Sequence, residues 1–312
     1  MPTAFVGQQT TITHSMRVEG IGVHSGKPVA ITFHPSIAGA GIVFERLRDG
    51  RVVSAYEAIS ENVGPTDLCT VLGSRPDEWI ATIEHVMAAV YALGVDNLRI
   101  AVEGGEMPIM DGSSRVFVNA LKDAGIVKLA ERRGYIRVLK TVRVEKGAGW
   151  AEFSPYDGTH FDVEIDFDSP AIGRQKWQGN MTPETFRREL ASARTFGFMR
   201  DVEPMWAQGF ALGSSLENSV VISDDDKVIN PEGLRFVDEF VRHKTLDAVG
   251  DLAMMGSRFA GAFRSYRGGH KLNAMAVRAL LETPGACVFV APEVGGLKER
   301  HSIQLVASAS LS

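Results

Sequence analysis

The order of the predicted secondary-structure elements constrains this fold most, because strands come first and helices later, and this order occurs twice. In the first half, KPVAITFHP and GIVFERL show strand-like alternation, and apolar residues at helical spacing predict a helix at about 82–93. In the second half, WAEFSPYDG and FDVEIDFD precede predicted helices at about 235–255 and 271–283. This repeated order predicts an α+β protein in which each half has two layers.

The length of 312 residues also favours two domains. The stretch KLAERRG, at about 128–134, is polar and short. We therefore expect an N-terminal α+β domain over 1–128 and a C-terminal α+β domain over 129–312.

Composition narrows the class of protein. The net charge of −5 shows no basic excess, so we expect no nucleic-acid partner. Two cysteines, Cys69 and Cys287, are too few for a disulfide framework and fit a reducing compartment. No signal-peptide pattern and no uninterrupted apolar run of about 18 residues is visible, which predicts a cytoplasmic protein without stable membrane insertion. A monomer is the default expectation.

Glu84 and His85 are the first candidate functional residues. Thr82 would cap the helix at about 82–93, which places both side chains in its first turn, where backbone N–H groups and the helix dipole favour a carboxylate. A solvated helix start is the simpler alternative for such a pair, and the spacing leaves both readings open.

The segment FVRHKTLDAVGDL carries a stronger signal, because His243, Asp247 and Asp251 follow one another at intervals of four residues. This spacing places the three side chains on one helix face. The helix is apolar on several sides, which predicts burial, and buried ionisable groups need a strong partner. An imidazole and a carboxylate one turn apart can bind a metal from one side. A structural His–Asp hydrogen bond, with Asp251 at the helix surface, is the alternative.

His270 follows two glycines and begins an amphipathic helix in RGGHKLNAMAVRALL. Glycines beside a histidine let the backbone approach a ligand closely, although a structural role is the more common one for such a histidine. Together, the candidates supply two histidines and one aspartate for zinc, with a glutamate and a third histidine nearby. A catalytic zinc keeps three protein ligands and one water, and a carboxylate and a proton donor complete the requirements of amide hydrolysis.

Six long stretches of the chain resemble the UDP-3-O-acyl-N-acetylglucosamine deacetylases of lipid A biosynthesis. They occur in the order of that family and are GIGVHSGK, TIEHVMAAVYALGVDN, PIMDGSS, SARTFGFMRDVE, GLRFVDEFVRHKTLDAVGDL and GAFRSYRGGHKLN. The resemblance implies two similar two-layer domains that face each other, with the active site between their helical layers.

The resemblance also implies a role for each candidate. His85, His243 and Asp247 would bind zinc, or iron(II), because two histidines and a carboxylate also suit that ion. The further implied roles are those of a general base (Glu84), a protonated donor to the leaving nitrogen (His270), a donor to the oxyanion (Thr195), a positive charge near the site (Lys244) and a carboxylate that orients the donor (Asp251).

An apolar insert in the second domain, near 196–214, would form a passage for the acyl chain of the substrate. Ordinary core packing is the alternative for this segment. The substrate contacts implied by the resemblance are Phe196, Phe198 and Val202 for the acyl chain, Asp166 and Phe167 near the nucleotide, and His24 in GIGVHSGK. Gly149 stands where the family often has a basic residue, which leaves the diphosphate contacts open.

The resemblance therefore implies hydrolysis of the N-acetyl amide of UDP-3-O-(3-hydroxyacyl)-N-acetylglucosamine, an acylated UDP-sugar, with release of acetate. A zinc amidohydrolase with another acylated substrate is a second hypothesis. A non-catalytic protein that binds nucleotide sugars or acyl chains is a third, and it would have no need of a general base or of stoichiometric zinc.

Overall fold

The first half of the chain forms a five-stranded sheet that carries two helices. A computed structural model describes residues 7–291. The elements of this half are β1 (Gln8–Ile12), β2 (Met16–Ile21), β3 (Pro28–Pro35), β4 (Ile42–Arg48), β5 (Arg51–Glu57), a 3-10 turn (Ser60–Asn62), α1 (Glu84–Leu93), β6 (Leu98–Glu103), α2 (Arg115–Asp123) and β7 (Ile126–Arg132). The sheet has the order β2-β3-β6-β4-β5, in which only β4 and β6 run parallel. Strand β1 pairs with β7 in a separate ribbon.

The second half forms a larger sheet with two long helices. Its elements are β8 (Tyr135–Val138), β9 (Val142–Lys146), β10 (Gly149–Ser154), β11 (Thr159–Asp166), β12 (Arg174–Asn180), α3 (Pro183–Thr185), a π-helical turn (Phe186–Leu190), β13 (Phe196–Phe198), α4 (Met199–Ala207), β14 (Val220–Ile222), α5 (Glu239–Leu252), a 3-10 turn (Ala253–Met255), β15 (Phe259–Tyr266), α6 (His270–Glu282) and β16 (Cys287–Val290). The sheet has the order β12-β11-β15-β10-β9, and β8 pairs with both β15 and β16.

Period-two alternation explains why the second sheet has one buried face. Along β11, every second residue is buried, from Thr159 to Ile165. The rings of Phe153 and Phe263 lie 5.2 Å apart, and those of Phe161 and Phe263 lie 5.9 Å apart, between centroids. Such aromatic packing favours a rigid core. This sheet therefore forms a rigid layer against which α5 and α6 pack.

The two halves meet through α1 and α5, which are in extensive contact. Nine of the ten residues of α1 are buried, and the helix packs against both α5 and α2. Gly250 of α5 permits this close approach, since a Cβ atom there would lie 2.0 Å from the carbonyl oxygen of Glu84. The expected fold, with the helical layers of two α+β units in contact, is confirmed.

Two predicted helix starts are wrong by two to four residues. Helix α1 begins at Glu84 after Ile83, and the side chain of Thr82 does not cap it, because Thr82 has a φ of 60°. Helix α5 begins only at Glu239, and Val237 before it is 91% exposed. The carboxylate of Glu239 accepts the N–H of Arg235 at 2.6 Å, which holds the preceding chain in a turn.

The polar stretch at 128–134 lies mostly in a strand. Residues 126–132 form β7, whose side chains are nearly all exposed because it pairs only with β1 in a two-stranded ribbon. Its polarity therefore reflects an exposed ribbon as well as a change from one sheet to the next. The division of the chain at residues 128 and 129 stays a prediction.

None of the helices between residues 7 and 291 combines the length and the apolar character of a membrane span.

Gly250→Ala tests the contact between α1 and α5. In an unhindered helix this change stabilises a protein by about 1 kcal/mol. Here the added methyl group would collide with the Glu84 carbonyl, so we expect a loss of about 1–3 kcal/mol in the free energy of unfolding, measured by urea denaturation. Gly7→Ala is the control, because no atom of residues 7–291 lies within 4 Å of the place that its Cβ would take. Equal or greater stability of Gly250→Ala would contradict the close contact.

Candidate metal centre and active site

Three buried side chains from both halves of the chain converge at the contact between α1 and α5. Helix α1 supplies His85, and α5 supplies His243 and Asp247 one turn apart. The Nε2 atoms of His85 and His243 lie 3.6 and 3.3 Å from Oδ1 of Asp247. One potential ligand atom from each residue lies within 4.8 Å of the other two. The geometry therefore fits a three-ligand site for one cation.

The hydrogen bonds around these residues leave their ligand atoms free. Asp247 accepts a hydrogen bond from Lys244 through Oδ2 at 3.1 Å, while its Oδ1 is buried without any hydrogen-bond partner among residues 7–291. The Nδ1 atom of His243 lies 3.1 Å from the carbonyl oxygen of Ala193, which can only accept, so Nδ1 carries the proton. The lone pair of His243 is therefore on Nε2, towards Asp247. A buried carboxylate oxygen without a donor, beside two imidazoles, is the arrangement a divalent cation would satisfy.

The protonation states of α5 also suit a cation. Burial lowers the pKa of His243 to about 3, so this imidazole is neutral at physiological pH. Burial alone would raise the pKa of Asp247, but the neighbouring His243, Lys244 and His85 hold it well below its usual value. A neutral imidazole and an ionised carboxylate are the forms that bind metals.

Glu84 lies in the first turn of α1, next to His85, and only 3% of it is exposed. Its Oε2 accepts the backbone N–H of Thr70 at 2.9 Å. Burial raises the pKa of Glu84, although the neighbouring His270 and His85 oppose the shift. A solvated helix start is therefore excluded, and the raised pKa makes this carboxylate a better proton acceptor.

His270 and Asp251 form a buried pair beside Glu84. The Nδ1 atom of His270 lies 2.9 Å from Oδ2 of Asp251, which also accepts the side-chain amide of Asn273 at 2.8 Å. Burial disfavours the imidazolium, but the carboxylates of Asp251 and Glu84 outweigh it and raise the pKa of His270 to about 9. Asp251 is 3% exposed, so the alternative that places it at the helix surface is wrong.

Thr195 and Lys244 lie at the edge of the same site. The N–H of Thr195 donates to the carbonyl oxygen of Gly112 at 2.8 Å, and the carbonyl oxygen of Thr195 accepts the N–H of Val220 at 2.8 Å. These bonds fix the backbone of Thr195 and leave its hydroxyl available. The ammonium group of Lys244 lies 5.5 Å from the ring centroid of Phe196.

One cavity of about 370 Å³ joins the polar site to the apolar insert. The insert is a strand–helix–strand unit in which β13 and β14 run parallel and α4 connects them. The cavity is lined on its polar side by Glu84, His85, Thr195, His243, Lys244, Asp247 and His270, and on its apolar side by residues that include Phe196, Phe198, Val202 and Met205. Met199 and Trp206 of the same insert are 42% and 50% exposed, so its apolar residues divide between the cavity and the surface.

A second cavity of about 350 Å³ adjoins the first and shares Phe167, Phe198 and Lys244 with it. Its other lining residues include Asp166, Asp168, Arg200 and Arg267, so three basic and two acidic side chains line it. The carboxylate of Asp166 accepts the hydroxyl of Tyr266 at 2.6 Å. Two arginines and a lysine beside an aromatic ring can bind a phosphate-bearing ligand.

His24 lines the first cavity from the N-terminal half, where it contacts the insert. Its ring meets that of Phe210 edge-on at 5.7 Å between centroids. Burial lowers its pKa, and the nearby carboxylate of Glu106 opposes this shift. His24 is therefore a neutral group at the wall of the cavity.

Several residues around the site could not be found from the sequence. Thr70 and Asn273 contact the buried Asp251, and they lie 181 and 22 residues from it along the chain. Arg200 and Arg267 line the second cavity, although the sequence pattern predicted no particular cation there. Their spacing carries no periodic signal, so only the folded arrangement brings them together.

A buried ion pair holds the segment before Thr195. Arg194 and Glu239 have side-chain exposures of 1% and 0%, and the Nε atom of Arg194 donates to Glu239 Oε1 at 2.9 Å. The same carboxylate oxygen accepts the backbone N–H of Arg194 at 2.9 Å. The first residue of α5 thereby fixes the neighbours of Ala193, whose carbonyl group orients His243.

The fold and the donor set define an α+β protein with two buried histidines and a buried aspartate that could hold a metal ion. Residues 9–282 match the profile of the family described as UDP-3-O-acyl N-acetylglycosamine deacetylase. The chain is 55% identical over 275 residues to a UDP-3-O-acyl-N-acetylglucosamine deacetylase of Brucella ovis, and the match covers 88% of this chain and 95% of that protein. It is 54% identical, over the same shares, to the protein of the same name from Brucella melitensis biotype 2. The chain therefore belongs to the UDP-3-O-acyl-N-acetylglucosamine deacetylase family.

Glu239→Gln tests how much the buried Arg194–Glu239 ion pair stabilises the fold around the candidate metal site. The change keeps the shape of the side chain but leaves the Arg194 guanidinium without its buried counter-charge, so we expect a loss on the order of 3–5 kcal/mol in the free energy of unfolding. Glu232→Gln is the matched control, because Glu232 pairs with the same guanidinium but is 54% exposed, and its change should be much smaller. Urea denaturation measures both. Similar losses in the two variants would contradict the conclusion that the buried Glu239 stabilises the fold more than the exposed Glu232 does.

Proposed function

We propose that this chain hydrolyses the N-acetyl amide of UDP-3-O-(3-hydroxyacyl)-N-acetylglucosamine, releasing acetate and a free amine. It is a deacetylase of lipid A biosynthesis, as its family membership and its relatives' names indicate. The observation that carries the proposal is one cavity that joins the three candidate metal ligands, Glu84 and His270 to an apolar insert. A polar hydrolytic end and an apolar end match an amide substrate with a fatty acyl chain.

We assign the metal site to His85, His243 and Asp247, and we take zinc as the ion. Two imidazoles and a carboxylate suit zinc and also iron(II). The unpaired Oδ1 of Asp247 and the free Nε2 of His243 support a cation at this place. A divalent ion held there would make water more acidic and polarise the scissile carbonyl group.

Glu84 and His270 move the protons. Glu84, with its raised pKa, accepts a proton from the attacking water. His270 is protonated at neutral pH because its pKa is about 9, so it donates a proton to the leaving nitrogen. Asp251 holds the ring of His270 through Nδ1 and thereby directs Nε2 to the substrate. One group accepts and the other donates, which is the division of roles that amide hydrolysis requires.

Thr195 and Lys244 stabilise the negative charge that develops on the carbonyl oxygen. The backbone of Thr195 is fixed by two hydrogen bonds, so its hydroxyl can be aimed at the oxyanion without reorganisation. Lys244 adds a positive charge at the wall of the same cavity. Fixed donors in a water-poor site contribute more than the same donors in water.

The two adjoining cavities suggest how the substrate lies. The acyl chain occupies the insert against Phe196, Phe198 and Val202, while the diphosphate lies in the second cavity beside Arg200 and Arg267. The uridine lies near Asp166 and Phe167, and His24 contacts the substrate from the N-terminal half. Arg200 and Arg267 supply the charge for which Gly149 leaves no side chain. A cytoplasmic location and a monomeric state stay predictions.

Glu84→Gln and His270→Ala test the two proton-transfer roles. Each variant should lower kcat by at least about 10²-fold, because general acid–base groups contribute that much or more. Both should retain the metal measured in the wild type, whereas His243→Ala should lose it. Turnover and metal content are measured on the same preparations. His160→Ala is a control, since this exposed imidazole bonds Asn180 away from the site. Wild-type turnover in Glu84→Gln or His270→Ala would overturn the role assigned to that residue.

A substrate pair tests the acyl specificity. UDP-N-acetylglucosamine with the 3-O-hydroxyacyl chain should be hydrolysed far better than the same sugar without it, because only the acylated form can fill the apolar side of the cavity. The value of kcat/KM is measured for both. Val202→Glu should remove much of the preference. Equal values for the two substrates in the wild type would favour an amidohydrolase with another substrate.

A further inference from the structure

We propose that Thr70 is a positioning residue that holds the general-base carboxylate and the His270–Asp251 pair at a fixed separation. The inference rests on the proposed function, because it concerns how the proton-transfer groups of that function are held. Thr70 lies in the stretch DLCTVLG, in the loop before α1, and is 2% exposed.

The backbone of Thr70 is bound to the start of α1. Its N–H donates to Oε2 of Glu84 at 2.9 Å, and its carbonyl oxygen accepts the N–H of Ile83 at 3.2 Å. Glu84 therefore has one oxygen held by a backbone donor, which restricts rotation of the carboxylate. The peptide of Thr70 thereby sets the position of the base.

The side chain of Thr70 is bound to the other half of the protein. Its Oγ1 lies 2.5 Å from Oδ1 of Asp251, and this carboxylate oxygen can only accept, so the hydroxyl donates. The other oxygen of Asp251 accepts from His270 and from Asn273. With donors on both oxygens, the carboxylate cannot rotate away from His270 without losing a bond. The hydroxyl therefore fixes the group that orients the proton donor.

Burial means that the loss of one of these hydrogen bonds would not be compensated by water. Thr70, Glu84 and Asp251 are all at most 3% exposed, so water has little access to replace a lost donor. Removal of the hydroxyl would leave a buried, ionised oxygen of Asp251 without a hydrogen bond. We expect the carboxylate of Asp251 to rotate towards another donor and to displace the ring of His270, which is hydrogen-bonded to it.

The hydrogen bonds of Thr70 go to groups other than the three candidate metal ligands. Within residues 7–291, its hydrogen bonds go to Glu84, Ile83, Asp251 and the neighbouring ring of His270 at 3.4 Å. The metal ligands His85, His243 and Asp247 take their bonds from other groups. Loss of the Thr70 hydroxyl should therefore change the chemical step and leave metal binding intact.

Thr70→Val is the direct test, because it removes the hydroxyl and keeps the branched shape and the backbone N–H. We expect kcat to fall by about 10- to 100-fold, as for other supporting hydrogen bonds around catalytic groups, with KM and metal content close to wild type. Thr70→Ser retains a hydroxyl and should recover most of kcat. Thr159→Val is the matched control, since that buried hydroxyl donates to the carbonyl oxygen of Phe259, away from the site.

A double-mutant cycle shows whether the hydroxyl acts through Asp251. In an Asp251→Ala background, Thr70→Val should change kcat by less than about 2-fold, because the acceptor is already gone. An undiminished effect in that background would overturn the proposal, and so would wild-type kcat in Thr70→Val or a Thr70→Ser as impaired as Thr70→Val. If Thr70→Val fails to fold, Thr70→Ala replaces it and is compared with Thr70→Ser.

The outcome is separable from that of the proposed function. If Glu84→Gln and His270→Ala lose turnover while Thr70→Val does not, only the positioning role fails. If Glu84→Gln and His270→Ala both keep wild-type turnover, the assigned chemistry fails whatever Thr70→Val does.

Discussion

The contact between α1 and α5 is the constraint on which the rest of this structure depends. Neither helix carries a complete site, because α1 supplies one imidazole and one carboxylate while α5 supplies an imidazole and a carboxylate one turn apart. A glycine at position 250 lets the helices approach until Nε2 of His85 is 3.6 Å from Oδ1 of Asp247. A bulkier residue there would separate His85 and Glu84 from His243 and Asp247, and the candidate cation site would be lost.

Burial shifts the pKa values of the ionisable groups in the site, and it also means that each group needs a hydrogen-bonding or charged partner. It keeps His243 neutral and raises the pKa of Glu84, while the carboxylates of Asp251 and Glu84 overcome the effect of burial and raise the pKa of His270. Each such group needs a partner, and the partners come from loops: Ala193 for His243, and Thr70 for both Glu84 and Asp251. Loop residues distant in sequence therefore supply the hydrogen-bond partners of these buried groups.

Much of the fold and of the candidate site could be predicted from the sequence. The spacing of four residues between His243, Asp247 and Asp251 placed them on one buried face, and the structure has all three buried on α5. Helix ends were less well predicted, because a side chain distant in sequence or a strained backbone decided them. Thr82 was expected to cap α1 but has a positive φ, and the carboxylate of Glu239 holds the turn before α5.

The sequence by itself determined the element order, the amphipathic faces and, through its resemblance to a family, the identity of the chemical groups. Only the tertiary structure decided which groups meet. Residue spacing along one helix is a local property set by 3.6 residues per turn, so it can be read from the chain. The approach of His85 to Asp247, or of Thr70 to Asp251 across 181 residues, depends on how two layers pack and has no local signature.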